Sequence, residues 1–241
     1  MKILIKDNYD ELSLEAANIV AEVIKNNPKA VLGLATGSSP VGMYKELVKK
    51  YNASEISFRE IKTVNLDEYV GLSGDHDQSY RYFMDTNLFN HVDIDKNNTH
   101  VPNGIAENLD LETSEYDKMI ESLGGQDVQV LGVGPNGHIG FNEPDTKLLM
   151  PTHVADLAES TIEANSRFFE SVDDVPKQAI SMGLGSIFKA KKIVLLASGE
   201  NKANAIKSLK NDYVTTQIPL TLLKLHPDVT IIVDKEAGSL L

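Results

Sequence analysis

The sequence predicts an α/β fold: a single domain with a Rossmann-like, mostly parallel sheet and helices on both faces. Two observations lead to this class. Short β-rich runs alternate with amphipathic stretches of helical period along the 241 residues, and several of the runs are almost wholly apolar. Alternation of strands with helices is typical of parallel sheets, whose strands are apolar because helices cover both faces. No internal repeat or linker interrupts the pattern, so we expect one domain over residues 1–241.

Eight runs rich in β-branched and aliphatic residues are the predicted strands: Lys2–Ile5, Val31–Ala35, Lys62–Leu66, Val128–Val133, His153–Asp156, Ala179–Met182, Ile193–Ala197 and Thr230–Val233. The first predicted helix begins at Asn8 and Glu11, which have the spacing of a capping box. Its apolar residues recur at helical spacing: Leu12, Ala16, Ile19, Val20, Val23 and Ile24. The stretch from Asn97 to Asn108 is the least regular, and we expect it to be a surface loop.

Composition excludes several classes of partner. The chain has 23 basic and 35 acidic residues, a net charge of −12, so phosphate backbones and anionic lipid surfaces repel it. Charge interrupts the N-terminus too early for a signal peptide, and no apolar run approaches the ~18 residues of a membrane helix. The absence of cysteine fits a reducing compartment. We therefore expect a cytoplasmic protein without nucleic-acid or membrane partners.

Ligands of parallel sheets bind beyond the carboxyl ends of the strands, and Thr36–Ser39 follows one predicted strand. Gly37 lets the backbone approach a ligand closely. The N–H groups at the start of the next helix, together with nearby hydroxyls, make a natural phosphate site: Thr36, Ser38 and Ser39. We predict Ser39 as the N-cap of that helix and Pro40 in its first turn. The alternative is an ordinary tight turn before a capped helix.

Two acids, Asp67 and Glu68, come directly after the predicted strand Lys62–Leu66. Neighbouring side chains at a strand end point in different directions, so one carboxylate can face a cleft while the other makes structural contacts. A carboxylate near a phosphate site could act as a base on a sugar carbon. The alternative is that both acids cap helices or face water.

The most distinctive stretch is glycine-rich and runs from Gly132 to Pro144. His138 is the natural proton carrier at neutral pH, and Glu143 could hold its tautomer. Asn136 adds an amide within the same loop. The histidine has no partner at HxH or HExxH spacing, which argues against a metal site.

Binding of a phosphate ester also needs cationic side chains, and the two candidates are Arg167 and Lys202. Arg167 is flanked by Phe168, which predicts partial burial and an anionic partner. Lys202 follows the predicted strand Ile193–Ala197 and lies at the same edge of the sheet. The alternative for Lys202 is a solvated helix face.

These stretches together resemble glucosamine-6-phosphate deaminases of the glucosamine/galactosamine-6-phosphate isomerase family. The resemblance extends from about Val31 to Asp234, and its most specific motifs are Asn65–Leu72, Gly137–Pro144 and Ala164–Phe169. It implies an enzyme of amino-sugar catabolism that converts glucosamine 6-phosphate and water into fructose 6-phosphate and ammonia, without a cofactor.

The resemblance also implies roles for individual residues. Asp67 matches the base that moves a proton between C2 and C1, and His138 matches the acid/base that opens the pyranose ring. Glu143 matches its orienting carboxylate. Asn136 falls where some members have aspartate, and because an amide carries no charge we expect it to tune the pH profile. The remaining matches form the phosphate clamp: Thr36, Gly37, Ser38, Arg167 and Lys202.

Larger members of that family are allosteric hexamers activated by N-acetylglucosamine 6-phosphate. Their basic effector positions fall at His153 and Ala155 here, and the chain stops at Leu241. We therefore expect no such activation, and a monomer or small homo-oligomer. The segment from Leu148 to Arg167 is our candidate for a lid over the site.

Two alternatives stay open. A 6-phosphogluconolactonase would share the fold and a similar Gly-His loop but needs no enolising base, and both Asp67–Gly71 and Asn142–Pro144 argue against it. A non-catalytic sugar-phosphate-sensing domain normally accompanies a basic helix-turn-helix region, for which this acidic chain leaves no room.

Overall fold

The computed structural model describes residues 1–158, 162, 163, 166, 169, 171 and 174–241. The strands in these residues are β1 Lys2–Lys6, β2 Val31–Leu34, β3 Lys62–Asn65, β4 Asp67–Tyr69, β5 Thr99–His100, β6 Val128–Leu131, β7 His153–Asp156, β8 Gln178–Ser181, β9 Ile193–Ala197 and β10 Val229–Asp234. Seven of them form one sheet in the order β1-β10-β9-β6-β2-β3-β5, and all of its neighbouring strands are parallel. The predicted mostly parallel α/β class is confirmed.

The helices of the described residues are α1 Tyr9–Asn26, α2 Val41–Asn52, α3 Tyr80–Asn87, α4 Leu109–Ser122, α5 Leu184–Phe188 and α6 Ala203–Lys207. The predicted cap of α1 is confirmed, because the Asn8 side chain accepts a hydrogen bond from Glu11 N at 3.0 Å. Four of its predicted apolar residues are buried: Leu12, Ala16, Val20 and Ile24. None of these helices is long and apolar enough to cross a membrane.

The order of the strands reverses direction between β2 and β6. The chain moves from β1 through β2 to β3 and β5 in one direction, then returns to β6 on the other side of β2 and continues to β9 and β10. Since parallel crossovers are right-handed, α1 and α2 lie on one face and α4 on the opposite face. Such a reversal opens a crevice at the carboxyl ends of the two diverging strands. The crevice of this sheet therefore lies between β2 and β6.

A second sheet was not predicted. It contains β4, β8 and β7 in that order, and its pairs are antiparallel. The chain enters it at Leu66, whose N–H bonds Leu34 O of the main sheet and whose carbonyl accepts from Met182 N beside β8. The predicted strands at 153–156 and 179–182 lie in this second sheet and not in the parallel one, because an apolar run predicts a strand but not its partner.

The predicted surface loop at 97–108 is confirmed in part, because most of this stretch is irregular and exposed or half-buried. This stretch contains β5, and its residues Pro102 and Gly104 are buried. Gly71 N bonds Gly104 O at 2.8 Å, and the Tyr116 hydroxyl donates to His100 O at 3.2 Å. The chain packs under β4 here, which its irregular sequence pattern did not indicate.

Candidate active site

Four consecutive strands of the main sheet, β9, β6, β2 and β3, bring the predicted functional stretches to one edge. Ser198–Lys202 follows β9, Gly132–Pro144 follows β6, Thr36–Ser39 follows β2 and Asp67 follows β3 across one residue. Because the strands are parallel neighbours, their carboxyl ends meet at the same edge. The crevice between β2 and β6 lies at the centre of this group.

The glycine-rich loop holds a histidine, a carboxylate and an amide in direct contact. His138 Nδ1 lies 2.9 Å from Glu143 Oε1, and both side chains are about one-fifth exposed, at 20% and 19%. At this distance the carboxylate forms an ion pair with the imidazole when His138 is protonated. Asn136 Nδ2 donates to the other carboxylate oxygen, Glu143 Oε2, at 2.8 Å. Glu143 therefore bridges the imidazole and the amide.

Asn136 also shapes the loop itself. Its Oδ1 accepts a hydrogen bond from the backbone N–H of His138 at 3.2 Å. The amide thus contacts the carboxylate with its donor and the backbone with its acceptor. In the described residues, the Asn136 side chain is therefore linked to the imidazole indirectly, through Glu143 and through the loop backbone.

Two glycines make room for the His138 ring and the loop around it. A Cβ on Gly134 would overlap the imidazole, with Cε1, Nε2 and Nδ1 all too close. Gly137 adopts φ +88°, and a Cβ there would lie 2.6 Å from Ile218 Cγ2. Leu220 N in turn bonds Gly137 O at 2.8 Å. The glycine density noted in the sequence therefore reflects close packing around the histidine.

Asp67 approaches the same loop from β4. Its side chain is only 6% exposed, and its Oδ1 accepts no hydrogen bond from the described residues. Its Oδ2 would lie 3.8 Å from a Cβ on Gly140, two residues after His138. Burial, with a smaller contribution from the Glu68 carboxylate, raises the pKa of Asp67 to about 8. A buried carboxyl with a raised pKa beside the histidine loop has the properties of a proton-transfer group.

Glu68, the other acid, is a structural group. It accepts backbone N–H bonds from Tyr69 at 2.8 Å and from Tyr80 and Arg81 at 2.9 Å each. The last two open α3, so Glu68 satisfies the start of that helix. Burial raises the pKa of Glu68 to about 7, against the opposing effect of these three donors. The two acids therefore have different environments: Glu68 is bonded to three backbone N–H groups, whereas Asp67 Oδ1 accepts no hydrogen bond from the described residues.

Two residues that were not predicted from the sequence, Ser181 and Asn142, connect the second sheet to the histidine loop. Ser181 pairs with Asp67 in the second sheet, and its Oγ accepts from Phe141 N at 3.0 Å. Asn142, buried at 2% exposure, donates from Nδ2 to Ile139 O and Met182 O at 3.0 Å each. A polar residue within the predicted strand Ala179–Met182 was the available signal for Ser181, but only the antiparallel pairing shows what it contacts.

The predicted phosphate loop has an open backbone. Gly37 adopts φ +85°, and a Cβ there would meet nothing within 4 Å. Among the described residues, the N–H groups of Gly37, Ser38 and Ser39 bond no acceptor. The Ser39 side chain reaches the next loop, with its Oγ 3.7 Å from a Cβ on Gly132. These are features of an anion-binding loop beside the crevice.

The predicted N-cap of α2 is wrong. Pro40 occupies the cap position with φ −86° and ψ −6°, and no side chain caps the helix from within the loop. Ser39 precedes it in a turn, so its hydroxyl is not committed to α2. The physical reason is that the helix begins one residue later than the pattern indicated.

Of the two predicted cations, the structure places one. Lys202 is half-buried at the end of the 3-10 turn Glu200–Lys202 after β9, and it interacts within the fold. Asp234, at the end of β10, accepts from the Ser198 hydroxyl and from Gly199 N, which holds the turn before Lys202. Arg167 lies outside the described residues, as do Ala164, Asn165 and Phe168 of the same motif.

The candidate lid is described only in part. Thr152 N and Oγ1 donate to Asp117 at 2.8 and 2.6 Å, and Gly185 N bonds Met150 O at 2.8 Å. Residues 153–156 then form β7. The first half of the segment is therefore joined to α4, α5 and the second sheet. In the described residues, no three histidine, aspartate or glutamate side chains gather as a metal site requires.

A crevice at a switch point, an open anion loop, a histidine–carboxylate pair and a buried carboxylate together define an acid–base enzyme for a small anionic substrate. The chain belongs to the family described as glucosamine-6-phosphate isomerases/6-phosphogluconolactonase, whose sequence profile matches residues 6–232. A glucosamine-6-phosphate deaminase of Clostridium perfringens (strain 13 / Type A) is 60% identical over 241 residues, covering all of both chains.

Solved structures agree with this membership. A monomeric glucosamine-6-phosphate deaminase is 46% identical over the full length of both chains, with a TM-score of 0.97. A 6-phosphogluconolactonase from Trypanosoma cruzi has a TM-score of 0.79 at 20% identity, covering 100% of this chain and 96% of that one. At that identity the second likeness concerns the fold alone.

Proposed function

We propose that this protein is a glucosamine-6-phosphate deaminase, which isomerises and deaminates glucosamine 6-phosphate with water to give fructose 6-phosphate and ammonia. The observation that carries the proposal is the position of Asp67: a buried carboxyl with a raised pKa, adjoining the loop of His138 and Glu143. The full-length 60% identity to a deaminase supports it.

The reaction begins with opening of the pyranose ring. His138 accepts the proton of the C1 hydroxyl and returns a proton to the ring oxygen, so that the C1–O5 bond breaks and C1 becomes an aldehyde. Glu143, 2.9 Å from Nδ1, orients the imidazole and balances its charge while it is protonated. Asn136 holds Glu143 through its bond to Oε2.

Asp67 then moves a proton between adjacent carbons. As a carboxylate it takes the proton from C2 while a proton of the substrate ammonium group passes to O1, giving an enolamine, and Asp67 then delivers its proton to C1. The resulting iminium at C2 adds water, and the carbinolamine expels ammonia, which leaves as ammonium, to give the ketone of fructose 6-phosphate. Each step conserves atoms and charge without a redox cofactor.

The phosphate of the substrate binds at the loop Thr36–Ser39, where free N–H groups and hydroxyls face the crevice edge. Lys202 contributes from the carboxyl end of β9, two strands away in the sheet, and Arg167 completes the clamp as the family motif implies. The likeness to a monomeric deaminase supports a monomer or small homo-oligomer.

The test is an ammonia-release assay on purified protein with glucosamine 6-phosphate, coupled to detection of fructose 6-phosphate. We expect stoichiometric release of both products. The 6-phosphogluconolactonase alternative predicts hydrolysis of 6-phosphogluconolactone and no ammonia, and a sensing domain predicts binding without turnover. Either result would refute the proposal.

A further inference from the structure

We propose that Tyr9 is the positioning residue of the phosphate loop: its hydroxyl caps α2 from the neighbouring helix and sets the orientation of the loop peptides that bind the substrate phosphate. This inference rests on the proposed function, because it concerns how the same site holds the phosphorylated substrate. Tyr9 is the first residue of α1 and lies about thirty positions from the loop in the chain.

The hydroxyl of Tyr9 makes contacts on both sides. It accepts a hydrogen bond from Gly42 N at 2.8 Å. It donates its one proton to Ser38 O at 2.9 Å, with Ser39 O at 3.1 Å as the alternative acceptor. The same oxygen therefore joins the start of α2 to the loop that precedes it.

The helix needs this contact because it has no cap of its own. Pro40 at the cap position supplies no side-chain acceptor, which leaves the first N–H groups of α2 without the usual partner. The Tyr9 hydroxyl satisfies one of these groups. Gly42 permits the approach, since a Cβ there would overlap Ser13 Oγ and lie 3.0 Å from Tyr9 Cε1.

The bond to Ser38 O also fixes the direction of an N–H group. In a trans peptide the carbonyl of Ser38 and the N–H of Ser39 point in opposite directions. With the carbonyl held by Tyr9, the Ser39 N–H points away from α1. Ser39 lies beside Gly132 of the histidine loop, so this places an unbonded donor on the crevice side. Tyr9 acts through the loop and does not itself touch the phosphate.

The test compares Tyr9→Phe with wild type, using Tyr51→Phe as the matched control, because Tyr51 is a partly buried tyrosine at the opposite end of α2 from the loop. For Tyr9→Phe we expect KM for glucosamine 6-phosphate to rise about three- to tenfold with kcat within about twofold. The Kd of inorganic phosphate, measured by titration calorimetry, should rise by the same factor. Tyr51→Phe should leave all three values unchanged.

A folded Tyr9→Phe protein with unchanged KM and unchanged phosphate Kd would overturn the inference. A fall in kcat or melting temperature alone, with KM and Kd unchanged, would show a merely structural role and would overturn it as well. Failure of the proposed function is distinguishable, since the wild-type protein would then release no ammonia while the phosphate titration would still report on Tyr9.

Discussion

At the scale of single residues, the carboxyl group of Asp67 lies in an environment that disfavours its ionised form. Its pKa of about 8 is far above the ordinary value of 3.8, because burial and the Glu68 charge both oppose the carboxylate. A general base is most effective when its pKa lies near the working pH, so the same environment that disfavours the charge suits the group for proton transfer at carbon.

The first prediction concerns activity. Asp67→Asn should lower kcat by about a hundredfold or more while changing substrate binding little, because the base is lost and the shape is retained. Since the reaction requires the ionised form, kcat/KM of the wild type should rise with pH through an apparent pKa near 8. Steady-state kinetics from pH 6 to 9 measure both effects. Full activity of Asp67→Asn would contradict the assigned role.

The second prediction concerns stability, and its sign follows from linkage. The folded pKa of Asp67 is raised, so its stabilising contribution is complete below the unfolded pKa of 3.8 and is lost as the pH rises towards 8. The amide that replaces the carboxyl in Asp67→Asn does not titrate. This variant should therefore be more stable than wild type by an amount that grows as the pH rises from 3.8 towards 8.

Urea unfolding of the two proteins at pH 5 and pH 8 measures this difference. Glu68→Gln is the comparison variant, because this neighbouring acid is also buried but accepts three backbone N–H bonds. Replacing one of its oxygens by an NH₂ group should destabilise the fold by about 1–3 kcal/mol. A stability gap between Asp67→Asn and wild type that does not change with pH would contradict the prediction.

The third prediction tests the role of Asn136. Asn136→Asp places a second carboxylate at the 2.8 Å contact with Glu143, and two such groups cannot both ionise freely. We expect the variant to remain active and its kcat–pH profile to gain a titration on the acidic side that the wild type lacks. Asn136→Ala should lack this titration. Superimposable profiles for Asn136→Asp and wild type would show that Asn136 does not couple to the relay.

At the scale of elements, the glycine-rich loop depends on the absence of side chains where the imidazole lies. Gly134→Ala would push a Cβ into the His138 ring, so we predict a loss of about a hundredfold in kcat with the fold retained. Gly132→Ala is the matched control, since its Cβ would make only ordinary contact with Ser39 at 3.7 Å. Equal activities of the two variants would show that the packing on His138 is not required.

At the scale of the whole molecule, we expect no allosteric activation. The positions matching basic effector residues are His153 and Ala155, both in β7 of the second sheet. We predict hyperbolic kinetics, no activation by N-acetylglucosamine 6-phosphate, and a monomer of 26.4 kDa or a small homo-oligomer in analytical ultracentrifugation. Sigmoidal kinetics relieved by that compound would contradict the prediction.

Much of the candidate site could be predicted from the sequence because each functional stretch is recognised by its position directly after an apolar strand. Each functional stretch follows an apolar strand, and parallel strands put their carboxyl ends at one edge, so Thr36–Ser39, Asp67 and Gly132–Pro144 could be grouped without coordinates. The cap of α2 was misplaced by one residue because serine and proline are both compatible with a helix start. The phosphate role of Arg167 stays a prediction, as that residue is outside the described part of the chain.

The amino-acid sequence by itself determined the α/β class, most strand positions and the identity of the candidate acid–base residues, since these depend on periodicity and on residue chemistry. Only the tertiary structure decided that β4, β7 and β8 form a second, antiparallel sheet that carries Asp67 to the histidine loop. It alone showed that the Tyr9 hydroxyl on α1 is hydrogen-bonded to the loop Thr36–Ser39 and to the start of α2. Such contacts join residues far apart in the chain, and the periodicity of a segment indicates which face is apolar but not which distant segment covers it.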